Sequence, residues 1–223
     1  MKALFSHHYN ILPEAQRKVW PELAHFKKHF VLYGGTALAL RLGHRQSVDF
    51  DFFSRKTLEH RWIADNLPNI EKASILQSQP NTYTVLLPVN AEYVKLSFFG
   101  GINFGRIGEP QLTDDHTLLV ASLQDLMATK VKVLMQRIEK KDYIDIATLI
   151  SHGVSLAEGL AGASTLFGSV LSPSECLRAL QYFDEPSLKD LEESVKKILT
   201  GAVERVLEMK SLPEIKIKSP SLQ

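Results

Sequence analysis

Asp49 and Asp51 stand one residue apart in VDFDFF. In an extended strand, side-chain direction has period two, so they share a face with Phe53 while Val48, Phe50 and Phe52 share the other. Carboxylates at i and i+2 lie about 6.5–7 Å apart at the backbone and repel unless positive charge intervenes, and Asp is a poor strand former. A divalent cation answers both objections: Mg²⁺ or Mn²⁺ takes hard oxygen ligands, typically one or two carboxylates plus phosphate oxygens and water. Upstream, Gly34 and Gly35 close the short apolar run Phe30–Tyr33 and open TALALRLG, where Thr36 is expected to cap the helix and Gly43 to end it. Without Cβ atoms the glycine backbone admits a phosphate, and the following helix aims its free N–H groups and positive dipole end at it. A glycine pair before a helix is usually only a turn, and Asp-x-Asp can be a solvated edge. Joined by one short helix, the two describe a nucleoside triphosphate site, with Gly34, Gly35 and Thr36 cradling phosphate.

Other residues could add charge. Arg41, His44, Arg45 and Ser47 lie between the two motifs; Arg45 can clamp phosphate bidentately, the alternative being a solvated loop. Strands are expected at Ile70–Gln77, Tyr83–Leu87 and Tyr93–Phe99, an antiparallel meander through QPN and PVN turns whose last member presents Lys95 and Ser97 on its polar face. From Ser122 the pattern turns helical, with Leu123, Val131, Leu134 and Ile138 on one side and Lys130, Arg137 and Lys141 on another. Taken alone, Lys141 and Asp145 read as an i,i+4 salt bridge on a solvated helix. Asp114-Asp115 reads as a helix cap, and His7-His8 as part of a frayed terminus rather than a metal site.

The elements that must position these residues are ordinary. With 223 residues and 44% hydrophobic content the chain can bury a core, and a net charge of +1 excludes a strongly basic nucleic-acid binder. The single cysteine, Cys176, allows no internal disulfide, and no run reaches the roughly 18 apolar residues of a membrane span, so a soluble cytoplasmic protein is expected. Residues 11–29 read as a helix broken near Pro21, and 58–67 as another. Residues 155–210 read as wholly helical, with Ser172 and Pro173 opening one helix and a long one running from Pro186 to Met209. The tail's IKIK could form an edge strand. The expected domains are an α/β domain over 1–120, a helical region over 121–210 and a tail over 211–223.

GGTALALRLGHRQSVDFDFF resembles the glycine-rich and HR-x-S-x-D-x-D motifs of the AbiEii-type nucleotidyltransferases, within the DNA polymerase β-like superfamily. KVKVLMQRIEKKDYIDIATLI is similar to a later motif of that family at Lys130, Arg137, Asp142 and Asp145. The resemblance implies an α/β (α+β) fold, a mixed sheet with flanking helices followed by a helical C-terminal region. It implies transfer of a nucleotidyl group from an NTP to a hydroxyl, with Asp49 and Asp51 holding Mg²⁺ or Mn²⁺. Arg45, Ser47, Lys95 and Arg137 would bind nucleotide, Lys130 the triphosphate, and Asp142 or Asp145 would act as base or orient a cation. The family includes toxins that modify the 3′ end of tRNA and are restrained by a cognate antitoxin. Many superfamily members carry a third carboxylate where Ser97 stands here, which weakens the case for two metal ions. A small-molecule acceptor such as an aminoglycoside, or a catalytically weak nucleotide-binding domain, are the alternatives.

Overall fold

The structure, a computed structural model, describes residues 3–222. Its internal contacts divide them into two units, one of residues 3–104, 109–122 and 220–222, the other of residues 105–108 and 123–219.

The first unit is built on a mixed sheet. In chain order its elements are β1 (Leu4–Phe5), α1 (Glu14–Val19), β2 (Val31–Tyr33), α2 (Gly34–Leu42), β3 (Asp49–Phe53), α3 (His60–Asp65), β4 (Ser74–Gln79), β5 (Thr82–Val89), β6 (Glu92–Phe99), β7 (Gln111–Thr113) and β8 (Leu119–Val120). The strands lie in the order β1-β7-β8-β2-β3-β6-β5-β4. This is the α/β architecture expected, and β4, β5 and β6 form the antiparallel meander that their turns imply. β3 pairs antiparallel with β2, Tyr33 opposite Asp51, and parallel with β6, Asp49 opposite Lys95 and Asp51 opposite Ser97. Registered neighbours project to the same face. One face therefore carries Asp49, Asp51, Lys95 and Ser97. The other carries Phe50, Phe52, Leu96 and Phe98, all fully buried, with the Phe26 ring 5.0 Å from Phe98 and the Phe52 ring stacked 5.0 Å from it. Burying each such side chain contributes roughly 1.5–3 kcal/mol, which is why this register, and not one slipped by a residue, prevails.

Several expectations needed correction. The helix over 11–29 is α1 followed by a 3₁₀ stretch, Trp20–Lys28, because Pro21 lacks the N–H that would continue the α-helical ladder. Its apolar positions Leu12, Val19, Leu23 and Phe26 are nonetheless buried. Val48 lies outside β3 and is 61% exposed. Ile70–Lys72 is 3₁₀, so the strand expected from Ile70 begins at Ser74. α2 starts at Gly34 with Tyr33 as N-cap and no side-chain cap; Gly43, in the left-handed region at φ 63°, ends it as expected.

The second unit is helical: α4 (Leu123–Val133), α5 (Lys140–Ser151), α6 (Leu156–Phe167), α7 (Pro173–Ala179) and α8 (Glu193–Leu207). The chain breaks helix between Val133 and Lys140, so Lys130 and Lys141 do not share one helical face. Ser172 caps α7 by accepting from the Glu175 N–H, with Pro173 at its first turn. The long final helix is shorter than expected: Pro186–Leu188 is a separate 3₁₀ turn, and α8 begins at Glu193. IKIK forms no strand; nearby, Ser219 bridges to Arg106. A methyl at Gly159 would collide with Met127, which shows how closely α6 lies on α4. Cys176 is buried, its thiol donating to the Val131 carbonyl at 3.4 Å, and burial pushes its pKa up to about 11. No single helix among the described residues is long and apolar enough to cross a membrane.

Candidate functional site

The turn from β2 into α2 is where backbone and carboxylate come closest. Gly34 has φ +75°, a conformation that side chains disfavour, and a Cβ there would collide with the Asp51 carboxylate. At Gly35 a Cβ would stand 2.7 Å from Arg45 Nη2 and 2.9 Å from Ser47 Oγ. One glycine thus receives the carboxylate and the next a guanidinium and a hydroxyl, and the sequence brings them together because β3 returns antiparallel beside β2. Thr36 is buried and does not cap α2; its hydroxyl donates to the Asp49 carbonyl, pinning the helix to the start of β3. Tyr33, the N-cap residue, gives the first N–H groups of α2 no side-chain cap. Gly34→Ala is therefore expected to destabilise the fold by about 1–2 kcal/mol through the left-handed φ alone, and further by displacing Asp51. Gly35→Ala should cost less, since it displaces only the end of a long arginine and a serine hydroxyl. Comparing the two unfolding midpoints checks the order.

Asp49 and Asp51 project from the same face of β3, and Lys95 Nζ lies 3.6 Å from Asp49 Oδ2. Both partners are about two-fifths exposed, so this ion pair adds little stability by itself. Ser97, in register with Asp51, is 3% exposed and neutral. Arg45 Nη1 donates to the Gln46 carbonyl at 2.9 Å, which fixes the loop between the motifs. In the first unit the fold thus gathers Gly34, Gly35, Thr36, Arg45, Ser47, Asp49, Asp51 and Lys95.

Lys130, Arg137, Asp142 and Asp145 gather separately, within the second unit. Lys130 Nζ lies 2.7 Å from Asp142 Oδ1 and 2.6 Å from Asp145 Oδ2, and Arg137 Nε donates to Asp142 Oδ2 at 3.0 Å. Both carboxylates are fully buried and Lys130 is 6% exposed. The i,i+4 pair suggested for Lys141 and Asp145 does not form: Lys141 reaches Glu139 at 2.7 Å, and Asp145 takes Lys130.

Two other readings are overturned. His7 does not belong to a frayed end: β1 pairs with β7, and the His7 ring stacks on Trp20 at 5.4 Å and bonds Asp114. That bond holds the Asp114 carboxyl below the usual range. Asp114-Asp115 caps no helix but sits in the β7–β8 turn. Burial raises the Asp115 pKa, but hydrogen bonds from Thr113, Trp20 and Thr117 outweigh it and leave the carboxyl lowered. The missed signal was that a histidine and an acid pair distant in sequence can serve one sheet edge. His7, Asp114 and Asp115 lie close enough together to hold a metal ion, apart from the Asp49–Asp51 face.

Comparison with known proteins gives four findings. Residues 22–168 match the family model described as the nucleotidyl transferase AbiEii toxin of the type IV toxin–antitoxin system. A protein of Aquifex aeolicus (strain VF5) is 33% identical over 132 residues, 58% of this chain and 62% of its own length, so the match spans under two thirds of that relative. Among solved structures, MenT4, a nucleotidyltransferase toxin from Mycobacterium tuberculosis H37Rv, is similar with TM-score 0.64 at 12% identity over 88% of this chain and 82% of that one. An antigenic nucleotidyltransferase-like protein from Paracoccidioides brasiliensis is similar with TM-score 0.52 at 16% identity, over 86% and 92%. At those identities the structural likeness shows the fold.

Proposed function

The chain belongs to the AbiEii nucleotidyl transferase toxin family, and from that premise we propose that it transfers a nucleotidyl group from an NTP to a hydroxyl acceptor at the 3′ end of tRNA, under restraint by a cognate antitoxin. The observation that carries the reading is the Asp51 carboxylate packed against Gly34 while Arg45 and Ser47 crowd Gly35. Phosphate-binding backbone and cation-binding oxygens lie side by side there.

The donors fit a hard divalent cation: two carboxylates on one strand face, beside a turn that a Cβ would fill. When bound, Mg²⁺ or Mn²⁺ would supply charge stabilisation at the α-phosphate. The chain's own residues do the rest. The α2 N–H groups and Gly34–Gly35 receive the departing pyrophosphate, Arg45 clamps it, and Lys95 offsets charge beside Asp49. Within the second unit, Lys130 pairs with Asp142 and Asp145, and Arg137 with Asp142. Of the roles open to Asp142 and Asp145, their burial against Lys130 favours orientation of that ammonium over proton abstraction.

The test is incubation of the chain with labelled NTPs, Mg²⁺ and total RNA. Label at the 3′ end of tRNA is expected; label in a small molecule selects the aminoglycoside-type alternative, and label nowhere selects a binding domain without turnover. The neutral Ser97 favours a site that takes one cation. Ser97→Asp, in register with Asp51, should therefore create affinity for a second Mn²⁺, read by electron paramagnetic resonance with nucleotide bound. Unchanged stoichiometry would place Ser97 outside the cation's reach.

A further inference from the structure

We propose that Phe53, Phe99 and Phe104 form a platform on which a nucleobase stacks, an inference that rests on the transferase reading. Phe53 is the residue after Asp51 on the carboxylate face of β3, and Phe99 the residue after Ser97 on β6, because same-face positions recur every second residue. The two are register partners, and their rings stack with centroids 5.0 Å apart and planes 22° from parallel. Phe104 lies against Phe53 at 6.4 Å and 59°, and Tyr33 meets Phe53 edge-on at 5.0 Å. Aromatic side chains cluster on both faces of the sheet, but with different outcomes. Phe26, Phe50, Phe52 and Phe98 are fully buried, whereas Phe53, Phe99 and Phe104 are only half-buried. Rings left partly in water forgo burial energy that a ligand can recover.

The chemistry of the occupant follows from its neighbours. The triphosphate whose departing pyrophosphate sits at Gly34–Gly35 carries its sugar on the α-phosphate, and the sugar carries a base; the platform begins one same-face step, about 6.5–7 Å, from Asp51. A flat aromatic surface suits any base, because every base has a π-face. The base belongs either to the incoming NTP or to the last nucleotide of the acceptor, and both are nucleobases on a phosphorylated ribose.

Three probes separate the outcomes: 2-aminopurine riboside triphosphate, a short RNA ending in 2-aminopurine, and inorganic tripolyphosphate, each titrated into the full chain with Mg²⁺. Quenching of the triphosphate probe assigns the platform to the donor nucleotide, and quenching of the RNA end assigns it to the acceptor. Phe99→Leu keeps apolar bulk but has no ring and should weaken the quenched probe about tenfold while leaving tripolyphosphate unchanged. Phe99→Trp should bind the probe at least as tightly as the native chain, and it decides the matter if the leucine variant does not fold. The platform is overturned if neither probe is quenched, if Phe99→Leu weakens tripolyphosphate equally, or if Phe99→Trp weakens the probe as leucine does. A native chain that binds neither triphosphate nor tripolyphosphate would instead sink the transferase reading.

Discussion

Alanine at Asp49 or at Asp51 is expected to abolish nucleotide-dependent Mn²⁺ binding and to lower nucleotidyl transfer by at least about 10²-fold, the scale on which loss of one preorganised charge-stabilising group is felt. The two substitutions should differ in their side effects. Asp49 pairs with Lys95 at 3.6 Å in a half-exposed setting, so its removal frees an ammonium that solvent accommodates, and the unfolding midpoint should scarcely move. Asp51 lies against the Gly34 backbone, and its removal opens space at the turn. Metal titration followed by electron paramagnetic resonance, with circular dichroism to confirm the fold, checks both. Undiminished Mn²⁺ affinity in each variant would remove these residues from the site.

Lys130→Met is expected to have the largest effect on stability. It would leave Asp142 and Asp145 fully buried with Arg137, itself 44% exposed, as the remaining cation among the partners described for them. Breaking a buried ion pair by deleting one partner typically costs about 3–5 kcal/mol, because the other charge is stranded in a medium that solvates it poorly. Replacing the three buried members together, Lys130→Met with Asp142→Leu and Asp145→Leu, should recover much of that loss. Urea unfolding of the single and triple variants measures both. A single variant as stable as the native chain would show that the carboxylates do not depend on Lys130.

What could be read in advance followed the range of the forces involved. The alternation of Asp49, Phe50, Asp51 and Phe52 fixes which face is buried, and the pairing of Asp51 with Ser97 agrees with the parity expected for Tyr93–Phe99. The turn residues around Gln79 and Val89 announced the meander because turn chemistry is local. By contrast, Thr36 looked like a cap and instead reaches the Asp49 carbonyl, and Asp115 looked like a cap and instead accepts from Trp20. In both cases the side chain also reaches a partner distant in sequence, which local spacing does not reveal. The break between α4 and α5 was hidden because the apolar spacing at Leu134 and Ile138 continues through it. The cluster around Lys130 was visible as a motif, but its burial was not, since charged residues at helical spacing are usually solvated.

The division of the chain into units carries a consequence for its synthesis. Residues 105–108 leave the first unit for the second and return, and residues 220–222 come back to the first after the helices are complete. These excursions are anchored: the Asp125 carboxylate accepts the Ile107 and Gly108 N–H groups at 2.8 and 3.1 Å, Arg55 donates to the Pro220 carbonyl at 2.9 Å, and Leu222 is 1% exposed. A ribosome emitting the first 122 residues has therefore produced a sheet whose last contacts have yet to be translated. It has also released a four-residue segment whose carboxylate partner is three residues from appearing. Neither unit can be expressed as one uninterrupted stretch, and an early stop codon before Pro220 would leave the first unit without its closing segment although every residue of its strands is present.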